Sequence, residues 1–258
     1  MRHYDSILYS SFIPHPSSFL LMRNLVLCET PDDVADAAAD LIYDAQTTAI
    51  KTAGIYHLAL SGGETLRALF ERLSSPEWKD TMSWESWEVF WCDERAVPPD
   101  HPDSNFKAAN DLWLSKVPVS DVWRMRAESS DLREAADEYA RTLRSRLGLS
   151  SPILDTILLG MGKDGHTASL FPGHKALKSG SLVEVVEGDD PVPHRLTLTL
   201  PVLNRARQVI FMAAGEDKAD AVLRIFEQED RSLPAALVDP ADGECLWILD
   251  HAAARLIR

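Results

Sequence analysis

Asp164 and His166 stand two residues apart within Leu158 to Gly173, LLGMGKDGHTASLFPG, directly after an apolar run that ends on Gly160 and Gly162. A neutral imidazole takes a proton from water near pH 7, and a neighbouring carboxylate can orient it. Taken alone, Asp164-Gly165 is only a turn, and His166 a cap for whatever helix follows. At the carboxyl end of a buried strand the same residues occupy the edge where open α/β sheets bind their ligands.

Three other polar groups have a similar setting. Ser61-Gly62-Gly63 follows the apolar run Ile55 to Leu60 and precedes a helical pattern, so its glycines let backbone N–H groups approach an anion. The segment is neither a GxGxxG fingerprint nor a Walker A loop, which argues against a nucleotide. Asp93-Glu94-Arg95 follows the run Trp87 to Cys92, and Gly215-Glu216-Asp217-Lys218 follows Val209 to Ala214. Lys218 offers a point charge for a phosphate, and Arg195, at the head of the alternating Leu196 to Leu200, offers a second cation or else an exposed strand start. Surface turns explain each group singly; their convergence on one rim is what a site requires. The remaining histidines lack such a setting, and Trp84, Trp87 and Trp91 are expected in the core.

The elements that position these groups follow from periodicity. Thr30-Pro31-Asp32-Asp33 starts a helix of about twenty residues that Gly54 ends, and Leu66, Leu69, Phe70 and Leu73 mark a second. Strands are predicted at 55–60, 87–92, 153–159, 196–200, 209–214 and 246–249, with helices over 104–115, 131–147 and 216–228. This alternation predicts an α/β fold with a mainly parallel sheet covered on both faces. The loops Pro98 to Pro102 and Glu187 to Pro193 read as connections or a lid.

The 258 residues carry a formal net charge of -14, which argues against nucleic acid and anionic membranes as partners while leaving room for a small anion among local arginines and lysines. Cys28, Cys92 and Cys245 lack metal or redox spacing and read as reduced, buried residues of a cytoplasmic protein. No metal site and no cofactor is expected. Residues 1 to 22 form a serine-rich extension outside the fold, and 23 to 258 a single domain; no run is long enough to span a membrane.

In order and spacing, LALSGGET, WCDER with PDHPDSNF, LLGMGKDGHTASLFPG, RLTLTLPVLN, GEDKA and LPAALV resemble the 6-phosphogluconolactonase family, from about Leu58 to Arg255. The resemblance implies a modified Rossmann-like three-layer sandwich with a small subdomain, like that of sugar-phosphate isomerases and deaminases. It also implies hydrolysis of a small anionic sugar-phosphate lactone, 6-phospho-D-glucono-1,5-lactone; separately, a monomer is expected. The chain departs from the family pattern at Leu66, where proline is common, and at Lys163, where proline or glutamate is common.

On this basis His166 is expected to act as general base, with Asp164 or Asp93 orienting it or the water, and backbone N–H groups between Gly162 and Gly165 stabilising the oxyanion. Ser61, Gly62, Gly63, Arg95, Arg195 and Lys218 are expected to hold phosphate and hydroxyls. An amino-sugar-phosphate deaminase is the nearest rival, but its chemistry uses a glutamate where Phe171 stands here. A non-catalytic sugar-phosphate sensor would need an output domain, and residues 1 to 54 contain no basic helix-turn-helix.

Overall fold

The computed structural model describes residues 24–148, 153–188 and 192–257; the expected extension 1–22 and the tip of the Glu187 to Pro193 loop lie outside them. The strands, in chain order, are β1 Asn24–Cys28, β2 Tyr56–Leu60, β3 Trp87–Trp91, β4 Asp93–Arg95, β5 Asp121–Trp123, β6 Thr156–Gly160, β7 Val183–Glu187, β8 His194–Leu198, β9 Gln208–Ala213 and β10 Glu244–Asp250. Seven of them form one sheet in the order β1-β10-β9-β6-β2-β3-β5, and every pairing within it is parallel. All residues of β3 are buried, as are Leu58 to Leu60 in β2 and Ile157 to Leu159 in β6. Successive side chains point to opposite faces, so uninterrupted burial means that both faces are covered.

Local chemistry sets the helices. Pro31–Ala53 begins with a reciprocal cap, in which Thr30 Oγ1 accepts from the Asp33 N–H at 3.2 Å and the Thr30 N–H donates to Asp33 Oδ2 at 3.0 Å, and it ends at Gly54 in the left-handed region. Asn105–Leu112 and Leu132–Leu147 are capped by Ser104 and Asp131. Glu64–Leu73 buries Leu66, Leu69, Phe70 and Leu73. The expected 216–228 helix divides into a 3₁₀ turn, Glu216–Lys218, and an α-helix, Ala219–Phe226.

Trp84, Trp87 and Trp113 pack together with Tyr56 and Phe70, and Trp247 stacks on Phe211 at 4.0 Å, so the tryptophans are core residues. Burying an aromatic or aliphatic side chain of this size contributes about 1.5–3 kcal/mol. All three cysteines are free and buried.

The smaller sheet, β4-β8-β7, is antiparallel. The alternating run Leu196 to Leu200 belongs here rather than to the parallel sheet, and its strand ends at Leu198. Pro201, which has no N–H for a ladder and suits a first helical turn, sets up the short helix Leu200–Leu203.

From β2 the chain moves outward to β3 and β5, then returns to β2's other side with β6 and continues outward to β9 and β10. The connections after β2 and β6 therefore diverge, which opens a crevice at the carboxyl ends of those two strands. Ser61 follows β2 directly and Met161 follows β6.

Candidate active site

A cleft of about 390 Å³ occupies that crevice. Eight of the nine residues expected to act on or hold the substrate through their own groups line it: Ser61, Gly62, Gly63, Asp93, Arg95, His166, Arg195 and Lys218. Asp164 stands behind His166 rather than in the lining.

His166 does not cap a helix, because an irregular turn closed by a Thr167–Leu170 bridge follows it. Its Nδ1 lies 2.6 Å from Asp164 Oδ1, and its backbone N–H donates to the same oxygen at 3.2 Å. Burial alone would raise the Asp164 carboxyl, but the His166 charge and hydrogen bonds from the His166 backbone and ring and from its own backbone outweigh it, leaving Asp164 below its ordinary value. An ionised carboxylate only accepts, so Nδ1 carries the proton and Nε2 keeps its lone pair.

The glycines of this turn make room as well as bend. A Cβ on Gly162 would lie 2.2 Å from the His166 ring and 2.7 Å from Asp164 Oδ1. Gly165 adopts φ +79°, and a Cβ there would press on Leu233 at 2.9 Å. Two expected oxyanion donors are already engaged: the Gly162 N–H donates to the His166 carbonyl and the Gly165 N–H to the Gly162 carbonyl, each at 2.9 Å. Forming the turn consumes them. Lys163 is exposed and outside the cleft lining.

Asp93 makes no hydrogen bond to His166. Its Oδ2 accepts from Ser169 Oγ at 2.8 Å, its Oδ1 has no partner, and the residue is buried. Asp93-Glu94-Arg95 is a strand, β4, rather than a surface turn, and alternation turns Asp93 and Arg95 to one side and Glu94 to the other. Glu94 is buried and accepts from the N–H groups of Arg95, Asn105 and Phe106 at 2.7–2.8 Å and from Ser104 Oγ at 2.9 Å. Burial raises its carboxyl above the ordinary value, although these four bonds work against the rise.

The register of β4 on β8 sets Arg95 directly opposite Arg195 and Asp93 opposite Thr197. Like charges facing each other across strands repel, so this pairing favours an anion between them. Arg195 is 4% exposed, which rules out the exposed strand start, and its guanidinium lies 5.4 Å over the Phe171 ring. Burial lowers the Arg195 pKa from its ordinary value, with Asp93 opposing the shift and Arg95 adding to it.

Gly62 abuts Asn105, whose Oδ1 would be 1.9 Å from a Cβ placed there. The Ser61 N–H is already donated to the Leu158 carbonyl at 3.1 Å, so it is not an anion donor. The helix beginning at Glu64 has no side-chain cap, unlike those beginning at Pro31, Asn105 and Leu132, and its first turn lines the cleft. N–H groups left at such an end bind anions. Lys218, opposite, sits 2.9 Å from Asp217.

Sequence reasoning gave no site role to Asn105, and it named Glu94 and Phe171 without assigning either a contact in the site. The Phe171 ring lies 4.9 Å from the His166 ring and also beneath the Arg195 guanidinium, so one aromatic ring packs against both. Among the described residues no group of three or more His, Cys, Asp or Glu is placed to hold a metal ion.

The sequence matches, over residues 29–247, the family described as Glucosamine-6-phosphate isomerases/6-phosphogluconolactonase. A 6-phosphogluconolactonase of Homo sapiens is 42% identical over 235 residues, 87% of this chain and 90% of that protein. The solved 6-phosphogluconolactonase from Trypanosoma brucei is similar with a TM-score of 0.84 at 27% identity, covering 93% of this chain and 100% of that one. A monomeric glucosamine-6-phosphate deaminase shares the fold, with a TM-score of 0.76 at 22% identity over 91% of this chain and 100% of that one.

Proposed function

The chain belongs to the family of glucosamine-6-phosphate isomerases and 6-phosphogluconolactonases, and from that premise we propose that it hydrolyses 6-phospho-D-glucono-1,5-lactone to 6-phospho-D-gluconate, the second step of the oxidative pentose phosphate pathway. The observation that carries this reading is the Asp164–His166 pair, whose imidazole faces a cleft walled by Arg95, Arg195 and Lys218. Phe171, against the His166 ring, stands where the deaminase reaction uses a glutamate.

In this mechanism Asp164 holds the Nδ1 proton and His166 Nε2 accepts one from water as the water oxygen attacks C1 of the lactone. A tetrahedral oxyanion forms. When the bond from C1 to the ring oxygen breaks, the imidazolium returns its proton to that oxygen, which becomes the C5 hydroxyl. A positioned base of this kind contributes roughly 10² to 10⁴ in rate. The Gly62–Gly63 turn, the uncapped helix start and Lys218 take the phosphate, whose binding holds the carbonyl against His166. We place the reaction in the cytoplasm and in a monomer; the three free, buried cysteines suit a reducing compartment.

Replacing His166 by Ala should leave a folded protein whose kcat on freshly made lactone, corrected for spontaneous hydrolysis, falls by about 10² to 10⁴. A folded His166→Ala protein with unchanged kcat would remove His166 from the mechanism.

A further inference from the structure

We propose that Asp93 receives a ring hydroxyl of the substrate through its unpartnered carboxylate oxygen and thereby selects which sugar lactone is turned over. The proposal rests on the lactonase reading and assigns a specificity-determining contact within it.

Asp93 is 4% exposed and lines the cleft. Its attachments fix it closely. Oδ2 is held by Ser169 Oγ at 2.8 Å, Ser169 is held in turn by its N–H on Thr197 Oγ1 at 3.2 Å, and the Asp93 carbonyl is taken by Asn105 Nδ2 at 2.9 Å. Only Oδ1 lacks a donor. A buried carboxylate oxygen left without a hydrogen bond is destabilising, and in native structures such a group calls for an explanation.

The chemistry of the missing donor is narrow. Phosphate and a lactone carbonyl offer only acceptors, and the phosphate would be repelled by the carboxylate. Among the groups of a phosphorylated sugar lactone, the hydroxyls complement Oδ1. With the carboxylate beside Arg195, both touching Ser169 Oγ, and Lys218 and the Gly62–Gly63 turn elsewhere in the lining, the substrate has one favourable orientation. A site built to hydrogen-bond a hydroxyl rejects an analogue that lacks it far more strongly than an apolar pocket rejects a missing methylene.

The test compares wild type and Asp93→Asn on the parent lactone and on three 6-phospholactones, each lacking one of the hydroxyls at C2, C3 or C4. Wild type should lose about 10⁴-fold in kcat/KM on one of the three. Asp93→Asn should lose a similar factor on the parent but little more on that same analogue, so the two penalties do not add. Equal Asp93→Asn penalties on all four substrates would overturn the proposal and assign Asp93 to the water or to the strand. It is also overturned, without any variant, if wild type loses less than about 3-fold on every deoxy lactone. Failure of wild type to turn over the parent would overturn the lactonase reading and the proposal together.

Discussion

His166 is constrained on three sides: Asp164 fixes the Nδ1 proton, Gly162 leaves room for the ring, and Phe171 closes the remaining face. The pair has a pH consequence. Asp164 titrates below its ordinary value in the folded protein, so its contribution to stability is complete above the unfolded carboxylate value of about 3.9 and fades as pH falls through the depressed folded one. An Asp164→Asn protein should show kcat lower by about 10²-fold with KM little changed, because the amide no longer fixes the imidazole. An unchanged kcat would mean that the carboxylate does not orient the ring. The Asp-Gly-His spacing made both residues legible in the sequence. The space that Gly162 leaves was not legible, because the clash that excludes a Cβ exists only once the turn has closed.

At the scale of elements, β4 is the part that sequence pattern could not announce. Three charged residues in succession contradict every strand signal, yet alternation distributes them: Asp93 and Arg95 toward the cleft, Glu94 onto the Ser104 to Phe106 turn. The apolar runs at β2, β3, β6, β9 and β10 were readable because both their faces are covered. β8 was readable as a strand, but its assignment to the smaller sheet depends on pairing with β4. Glu94 is the joint between β4 and the helix beginning at Asn105. Its replacement by Ala should leave three backbone N–H groups and a hydroxyl without their acceptor, lowering stability by roughly 3 kcal/mol in urea denaturation. Because Asn105 also abuts Gly62, kcat/KM should fall as well. Unaltered stability would mean that other groups or water replace the carboxylate.

The whole molecule carries a formal net charge of -14, yet its cleft presents Arg95, Arg195 and Lys218. Exposed charges beyond about 8 Å are screened at physiological salt, so the local cations decide what binds. Product should therefore stabilise the fold: 6-phosphogluconate at 100 times its Kd should add about 2.7 kcal/mol, seen as a rise in Tm, whereas gluconate at the same concentration should add little. At that concentration Lys218→Ala should show a smaller rise; an equal one would detach Lys218 from the phosphate. The two halves of the parallel sheet meet at β2 and β6, where the cleft opens, while its outermost strand β1 is joined to the sheet by β10 alone. During synthesis Asn24–Cys28 thus leaves the ribosome long before its partner, and at about 5–20 residues per second that strand waits roughly ten to forty seconds for Glu244–Asp250 to be translated. One edge of the sheet is finished only when the last strand arrives, and until then it is a target for chaperones and for mispairing.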